Sequence, residues 1–142
     1  MSEPQPLIYI IDDSADYRFM VSHIFKRLLP QYRVHYFESG RALCAHLGTE
    51  PIHLPCLILM DNNMPGLSGP QTLTFLKRHP HWQSVPAIII TSSTSPQDEQ
   101  EAYASGAVAY QLKSITMKSL KEQLTQLCAY WAEVAKFTAL PA

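Results

Sequence analysis

The stretch Leu57-Ile-Leu-Met-Asp61-Asn-Asn-Met-Pro-Gly66 is a short apolar run that ends in a carboxylate and then enters a Pro-Gly turn. A run of this length predicts a buried strand, and Pro-Gly predicts the loop after it. Leu7–Ile11 has the same form, because it leads directly into Asp12 and Asp13. Since parallel strands place their carboxyl ends at one sheet edge, these three carboxylates should meet and repel one another. Either a bound divalent cation or raised pKa values would relieve that repulsion.

Strand-like and helix-like segments alternate five times along the chain. Apolar runs predict strands at Leu7–Ile11, Tyr32–Phe37, Cys56–Met60, Val85–Thr91 and Val108–Leu112. Caps and apolar spacing predict helices at Ser14–Leu29, Ser39–Leu47, Gln71–His79, Pro96–Gly106 and Thr116–Phe137. This alternation predicts a doubly wound α/β fold with a five-stranded parallel sheet of order 2-1-3-4-5, covered by helices on both faces.

Length and composition limit the classes of protein to consider. We expect residues 1–142 to form a single domain, with a core over about 7–128 and an extended last helix over about 129–137. A net charge of -1 argues against nucleic acid or an anionic membrane as a general partner. The three cysteines form no C-x-x-C pair, and no stretch has the length of a membrane span. With a polar N-terminus, these features predict a cytoplasmic protein.

Four of the predicted strands end in polar residues that together suit phosphoryl transfer. A carboxylate such as Asp61 can attack phosphorus to give an aspartyl phosphate. Such a reaction depends mainly on charge neutralisation, which Mg²⁺ held by the carboxylates and the Lys113 ammonium would provide. The Thr91 hydroxyl at the end of the fourth strand would add a hydrogen bond.

The chain resembles the receiver domains of two-component response regulators, a likeness that extends from Leu7 to about Cys128. The matching motifs, in chain order, are Asp12-Asp13, Asp61-x-x-Met-Pro-Gly-x-x-Gly69, Thr91 and Tyr110-x-x-Lys113. The resemblance implies a flavodoxin-like (βα)5 fold. It also implies that Asp61 accepts a phosphoryl group from a sensor histidine kinase or a histidine phosphotransfer protein.

The resemblance assigns metal-binding roles to four residues. Asp13 would bind Mg²⁺ directly, and Asp12 would bind it largely through water. Asp61 and the Asn63 carbonyl would complete the protein's contribution to the metal site.

The resemblance also assigns residues to the phosphoryl group and to the switch. Lys113, Thr91 and the Ser92 backbone amide would contact the phosphoryl oxygens. Thr91 and Tyr110 would form the switch pair: the hydroxyl moves toward the phosphate and the ring follows inward. The face of the fourth helix, fifth strand and fifth helix would then change its affinity for a partner.

Two positions depart from the family pattern. Ser114 follows the lysine where proline is usual, and because serine does not reduce the cost of a cis bond, we expect a trans Lys113–Ser114 bond. Ser92 stands where alanine or glycine is usual, and its larger side chain is expected to slow phosphoryl exchange at Asp61. We expect Ser93, which follows it, to lie in a solvated loop.

These features predict a phosphorylation switch that binds an unknown downstream protein or passes the phosphoryl group onward. We expect Mg²⁺-dependent self-phosphorylation and autodephosphorylation at Asp61, but no turnover of a separate substrate. One alternative is a receiver-like scaffold that binds its partner without phosphorylation. Another, ranked last, is a metal-dependent phosphohydrolase, because Asn63 lies where such an enzyme would need a second acid.

The C-terminal segment has two interpretations. We favour a longer amphipathic helix that places Trp131 and Val134 on the core face. In the other interpretation, Tyr130 and Phe137 form an exposed patch for a partner or for a second copy, which would make a homodimer through the last helices.

Overall fold

The computed structural model describes residues 5–47 and 54–133 of the chain. Its strands are β1 Leu7–Ile11, β2 Arg33–Phe37, β3 Leu57–Asp61, β4 Ala87–Thr91 and β5 Ala109–Leu112. Its α-helices are α1 Ala15–Leu28, α2 Gly40–His46, α3 Gly69–Lys77, α4 Pro96–Ala104 and α5 Met117–Leu127. The predicted alternation of strands and helices is confirmed, with boundaries that differ by a few residues.

The five strands form one parallel sheet in the order β2-β1-β3-β4-β5, as predicted. In this register Ile11 pairs with Met60, and Asp61 pairs with Ile90. The carboxyl ends of β1, β3 and β4 are therefore adjacent. This edge of the sheet carries the carboxylates and the hydroxyl that the sequence pattern indicated.

The apolar strands are buried because both faces of the sheet are covered. Alternate residues of β1 show the pattern: Ile8 and Ile10 pack with α1 and α5, whereas Tyr9 and Ile11 pack with side chains of α2 and α3. Every residue of β3 and β4 is buried. Burial on both faces explains why these strands are continuous apolar runs, without the polar alternation of a half-exposed sheet.

A hydroxyl side chain caps the N-terminus of each described α-helix. The caps, in chain order, are Ser14, Ser39, Ser68, Ser95 and Thr116. Each accepts a hydrogen bond from a backbone N–H of the first turn, a group that would otherwise have no partner within the helix. The caps of α1, α4 and α5 thereby fix the ends of the loops that carry Asp13, Ser92 and Lys113.

The last helix differs from its prediction. It is α-helical over Met117–Leu127 and then widens into a π-helical turn over Cys128–Ala132. In this turn Cys128 and Ala132 are buried and Trp131 packs against the same core, while Tyr130 is 62% exposed. Val134 and Phe137, and hence the end of the predicted extension, lie outside the described residues.

The start of α3 presses directly on the backbone of β3. The Gly69 N–H donates to the Asn62 carbonyl at 2.9 Å. A Cβ at Gly69 would lie 2.5 Å from the Asp61 carbonyl oxygen and 3.1 Å from the Asn62 Cα. Because both atoms belong to the backbone, no side-chain rotation would make room. Glycine at this position therefore lets α3 support the strand end that carries Asp61.

We predict that Gly69→Ala lowers the free energy of unfolding by about 1–3 kcal/mol, the usual cost of overpacking a close contact. Urea unfolding followed by circular dichroism would measure the change. Thr74→Ala, on the exposed side of α3, is the control and should have a smaller effect. A Gly69→Ala variant as stable as the wild type would show that the contact tolerates a methyl group.

Candidate functional site

Three carboxylates meet at the carboxyl ends of β1 and β3. Each of Asp12, Asp13 and Asp61 offers an oxygen, and these oxygens lie within 4.8 Å of one another. Asp12 and Asp61 are almost fully buried, whereas Asp13 is exposed. Clustered carboxylate oxygens are the donors that hard divalent cations prefer. The acidic cluster predicted from the strand ends is therefore present, with one side open to solvent.

Lys113 reaches into this acidic cluster from the end of β5. Its Nζ lies 2.8 Å from Asp12 Oδ2 and 3.5 Å from Asp61 Oδ2. Its backbone N–H donates to the Thr91 carbonyl at 2.8 Å, which anchors the chain just after the strand. The lysine thus contacts the cluster although Ser114, and not proline, follows it.

The carboxylate of Asp12 already has two partners from the protein. Its Oδ1 accepts the Ser14 N–H at 2.9 Å, and its Oδ2 takes the Lys113 ammonium. The Asp12 carbonyl also accepts a hydrogen bond from Arg18 Nη1 at 2.6 Å. No motif in the sequence pointed to Arg18, because an arginine on the first turns of a helix carries no signal of a contact with the preceding strand.

Burial raises the pKa of Asp61 to about 6, and the negative charge of Asp12 adds to the increase. Lys113 and a backbone hydrogen bond from Asn63 oppose the shift but do not cancel it. Without a cation, therefore, the repulsion predicted from the sequence appears partly as a raised pKa of the central carboxyl group.

Thr91 and Tyr110, the expected switch pair, are connected through Ser93. The fully buried Thr91 hydroxyl accepts the Ser93 N–H at 3.1 Å. The Tyr110 hydroxyl donates to the Ser93 carbonyl at 3.1 Å. Because both bonds meet at one residue, a movement of the Thr91 hydroxyl would disturb the partner of Tyr110.

Ser93 lies in the expected loop between β4 and α4, but its side chain is not simply solvated. Ser93 is half-buried, and its hydroxyl donates to Asp98 Oδ2 at 2.5 Å while accepting the Ser95 N–H at 3.2 Å. The reason is that α4 starts only three residues later, which brings the carboxylate of its first turn within reach. Ser92 and Asn63, by contrast, are exposed, and they follow the carboxyl ends of the neighbouring strands β4 and β3.

This combination of fold and site agrees with comparisons with known proteins. A family model described as the response regulator receiver domain matches residues 8–125. The chain belongs to this family.

Individual relatives of this receiver domain differ in length. It is 25% identical over 142 residues to the response regulator Rcp1 of Synechocystis, covering 97% of each chain. It is 32% identical to a probable cyclic di-GMP phosphodiesterase of Vibrio cholerae over 84% of its own length, but spans only 26% of that protein. The crystal structure of Mn²⁺-bound Rcp1 superposes with a TM-score of 0.79, covering 96% of this chain and 99% of that one at 24% identity.

A phosphorylated cyanobacterial phytochrome response regulator, RcpA, has the same fold. Its structure gives a TM-score of 0.83 at 20% identity, covering 92% of this chain and 96% of that one. The flavodoxin-like receiver fold is thus confirmed. The family match shows the role of a receiver in two-component signalling.

Several expectations remain predictions at this stage. They are the roles of individual site residues, the choice of metal, the single-domain organisation and a homodimer through the last helices. Within residues 5–47 and 54–133, no helix is long and apolar enough to cross a membrane.

The raised pKa of Asp61 predicts a pH-dependent effect of Asp61→Asn on stability. The folded-state pKa of about 6 lies above the ordinary value of 3.8. The folded protein therefore binds more protons than the unfolded chain between these values, and its stability falls as pH rises through that window. In metal-free buffer, Asp61→Asn should be more stable than the wild type by about 1–2 kcal/mol near pH 7.5, and by less near pH 4.5.

Urea unfolding in EDTA at both pH values would test this prediction. Asp16→Asn removes an exposed carboxylate on the first turn of α1 and serves as the matched control. If Asp61→Asn raised the free energy of unfolding equally at both pH values, or lowered it near pH 7.5, the buried charge of Asp61 would not be the source of the instability.

Proposed function

We propose that Asp61 accepts a phosphoryl group, with Mg²⁺, from a sensor histidine kinase or a histidine phosphotransfer protein. The observation that carries this proposal is the buried Asp61 carboxylate between two further carboxylates and the Lys113 ammonium. One Asp61 oxygen would bond to phosphorus while the bond from phosphorus to the donor atom breaks. The donor leaves with that electron pair, and the product is an aspartyl phosphate.

The donor set of the acidic cluster fits Mg²⁺. Asp13 is exposed and free to give an oxygen directly, whereas both Asp12 oxygens have protein partners, which favours contact through water. Asp61 and the Asn63 carbonyl would supply the remaining protein ligands. When bound, the ion would neutralise charge on the carboxylates and on the transferring group. The Mn²⁺-bound form of the relative Rcp1 supports a divalent cation of this kind.

Three groups are proposed to hold the phosphoryl oxygens. Lys113 would redirect an ammonium N–H from the carboxylates to one phosphoryl oxygen, and the Ser92 backbone amide would donate to a second phosphoryl oxygen. The Thr91 hydroxyl would donate to a third. That movement would weaken its present bond from the Ser93 N–H, and the Ser93 carbonyl in turn holds the Tyr110 hydroxyl. This chain of contacts is the route by which phosphorylation would shift the Tyr110 ring.

The output is proposed to be binding of a downstream protein or onward transfer of the phosphoryl group, without turnover of a separate substrate. Asn62 and Asn63 follow Asp61, so neither neighbour offers the acid that a phosphohydrolase would need. The phosphodiesterase named among the relatives is a longer protein, of which this chain spans a quarter. A cytoplasmic location fits Cys44, Cys56 and Cys128, which form no disulfide within the described residues.

Acetyl phosphate with Mg²⁺ is expected to add a single phosphoryl group to the wild-type protein, as intact-protein mass spectrometry would show. The adduct should be absent without Mg²⁺ and absent in Asp61→Asn, because the metal site and the nucleophile are then missing. Asp16→Asn, which removes a carboxylate outside the acidic cluster, should still form it. An adduct that persists in Asp61→Asn would identify another acceptor, and no adduct with any small donor would favour the phosphorylation-independent scaffold.

Replacing Ser92 by alanine is predicted to speed phosphoryl exchange at Asp61. The Ser92 side chain is exposed just after β4, the neighbour of the strand that carries Asp61, and from there it would hinder a donor or a hydrolytic water. Mass spectrometry after removal of the donor would give the lifetime of the phosphorylated form, which should be shorter in Ser92→Ala than in the wild type. Thr94→Ala, two residues further along the same exposed loop, is the control; equal lifetimes for Ser92→Ala and the wild type would refute the steric role.

A further inference from the structure

A buried aromatic ring lies directly beneath the Lys113 ammonium. Tyr17, on the first turn of α1, is only 9% exposed, and Lys113 Nζ lies 4.6 Å from the centroid of its ring. This is within the range in which a cation is attracted to the electron-rich face of an aromatic ring. The receiver motifs in the sequence gave Tyr17 no role.

We propose that Tyr17 is a positioning residue for phosphoryl transfer, whose ring holds the Lys113 ammonium in place against Asp12 and Asp61. This inference rests on the function proposed for Asp61 and adds a residue to it. Tyr17 acts through the lysine and does not itself touch the phosphoryl group.

The need for such a residue follows from the freedom of the lysine side chain. The backbone of Lys113 is anchored to Thr91, but four rotatable bonds separate it from Nζ, and ordering them has an entropy cost. Two of the three ammonium N–H groups can be directed at Asp12 and Asp61, at 2.8 and 3.5 Å. The ring occupies a further side, and its attraction persists when the charge on Asp61 changes during phosphorylation.

The ring also closes the floor of the site. Only a cavity of about 10 Å³ remains between Tyr17, Asp12, Asp61 and the apolar side chains below them, including Leu124. That is room for about one water at most. Because little water can enter from below, the attraction between Lys113 and its partners is screened less than on an open surface.

The Tyr17 hydroxyl shows that tyrosine is not the residue that packing alone would favour. It has no hydrogen-bond partner among the described residues, and a buried hydroxyl without a partner destabilises the folded state. Burial, with the nearby charges of Asp12 and Asp61, raises the pKa of this hydroxyl, so the ring above which Lys113 lies is neutral. Phenylalanine would keep the ring face and remove the unpaired hydroxyl.

A mutant cycle separates positioning from packing. The rate of phosphoryl uptake from acetyl phosphate with Mg²⁺ would be measured by mass spectrometry for Tyr17→Leu, Lys113→Met and the double variant. Tyr17→Leu should slow uptake by roughly three- to tenfold, the range expected for one cation–π contact. In the Lys113→Met background, Tyr17→Leu should cause no further decrease in the uptake rate. The single variant Tyr17→Phe should take up the phosphoryl group as fast as the wild type, because it keeps the ring.

Two further measurements keep the test independent of folding and of the proposed function. Phe25→Leu makes a similar change in a buried ring of α1 away from the site, so it should lower stability without slowing uptake. In proton NMR, the ring should shift the Lys113 side-chain methylene signals upfield in the wild type and in Tyr17→Phe, but not in Tyr17→Leu. This shift can be measured even if the wild type takes up no phosphoryl group, a result that would refute the proposed function alone.

Three results would overturn the role of Tyr17. They are an equal loss from Tyr17→Leu in the presence and absence of Lys113, a loss in Tyr17→Phe as large as in Tyr17→Leu, and the absence of a ring-dependent shift at Lys113. The first would leave Tyr17 as a packing residue, and the second would transfer the role to its hydroxyl.

Discussion

Repulsion among three carboxylates at one edge of the sheet is the constraint on which the rest of the site depends. Asp12 and Asp61 are buried close together, so each charge raises the free energy of the other. The repulsion is partly relieved by the Lys113 ammonium, by the backbone N–H groups of Ser14 and Asn63, and by a raised pKa at Asp61. None of these fully compensates, which leaves an energetic advantage for a divalent cation or for any change that removes charge from Asp61.

The loop after β4 links this electrostatic centre to the rest of the domain. Thr91 lies at the end of a fully buried strand, and Ser93 connects it with Tyr110 on β5 and with Asp98 on α4. These are a few hydrogen bonds in a partly exposed segment, whereas β3 and β4 themselves are buried along their whole length. The loop is therefore the part of the site that can rearrange at the lowest cost.

The fold was largely predictable because its signals are local. The apolar run Leu7–Ile11 and the cap at Ser14 were assigned correctly, and the alternation of such segments led to the observed strand order. The carboxylates could be grouped because a parallel sheet brings strand ends together. Tyr17 and Ser93 could not be recognised in this way, because their roles arise from side-chain contacts between distant segments, which leave no spacing in the sequence.

The close approach of α3 to β3 has a mechanical consequence. With no Cβ at Gly69, the helix lies directly against the backbone of Asp61, which leaves the end of β3 little room to move toward α3. The segment around Ser93, by contrast, is held by a few hydrogen bonds. If the proposed phosphoryl group were added to Asp61, the resulting displacement would meet less resistance toward β4, β5 and α4 than toward α3, so the response of the domain would have a direction.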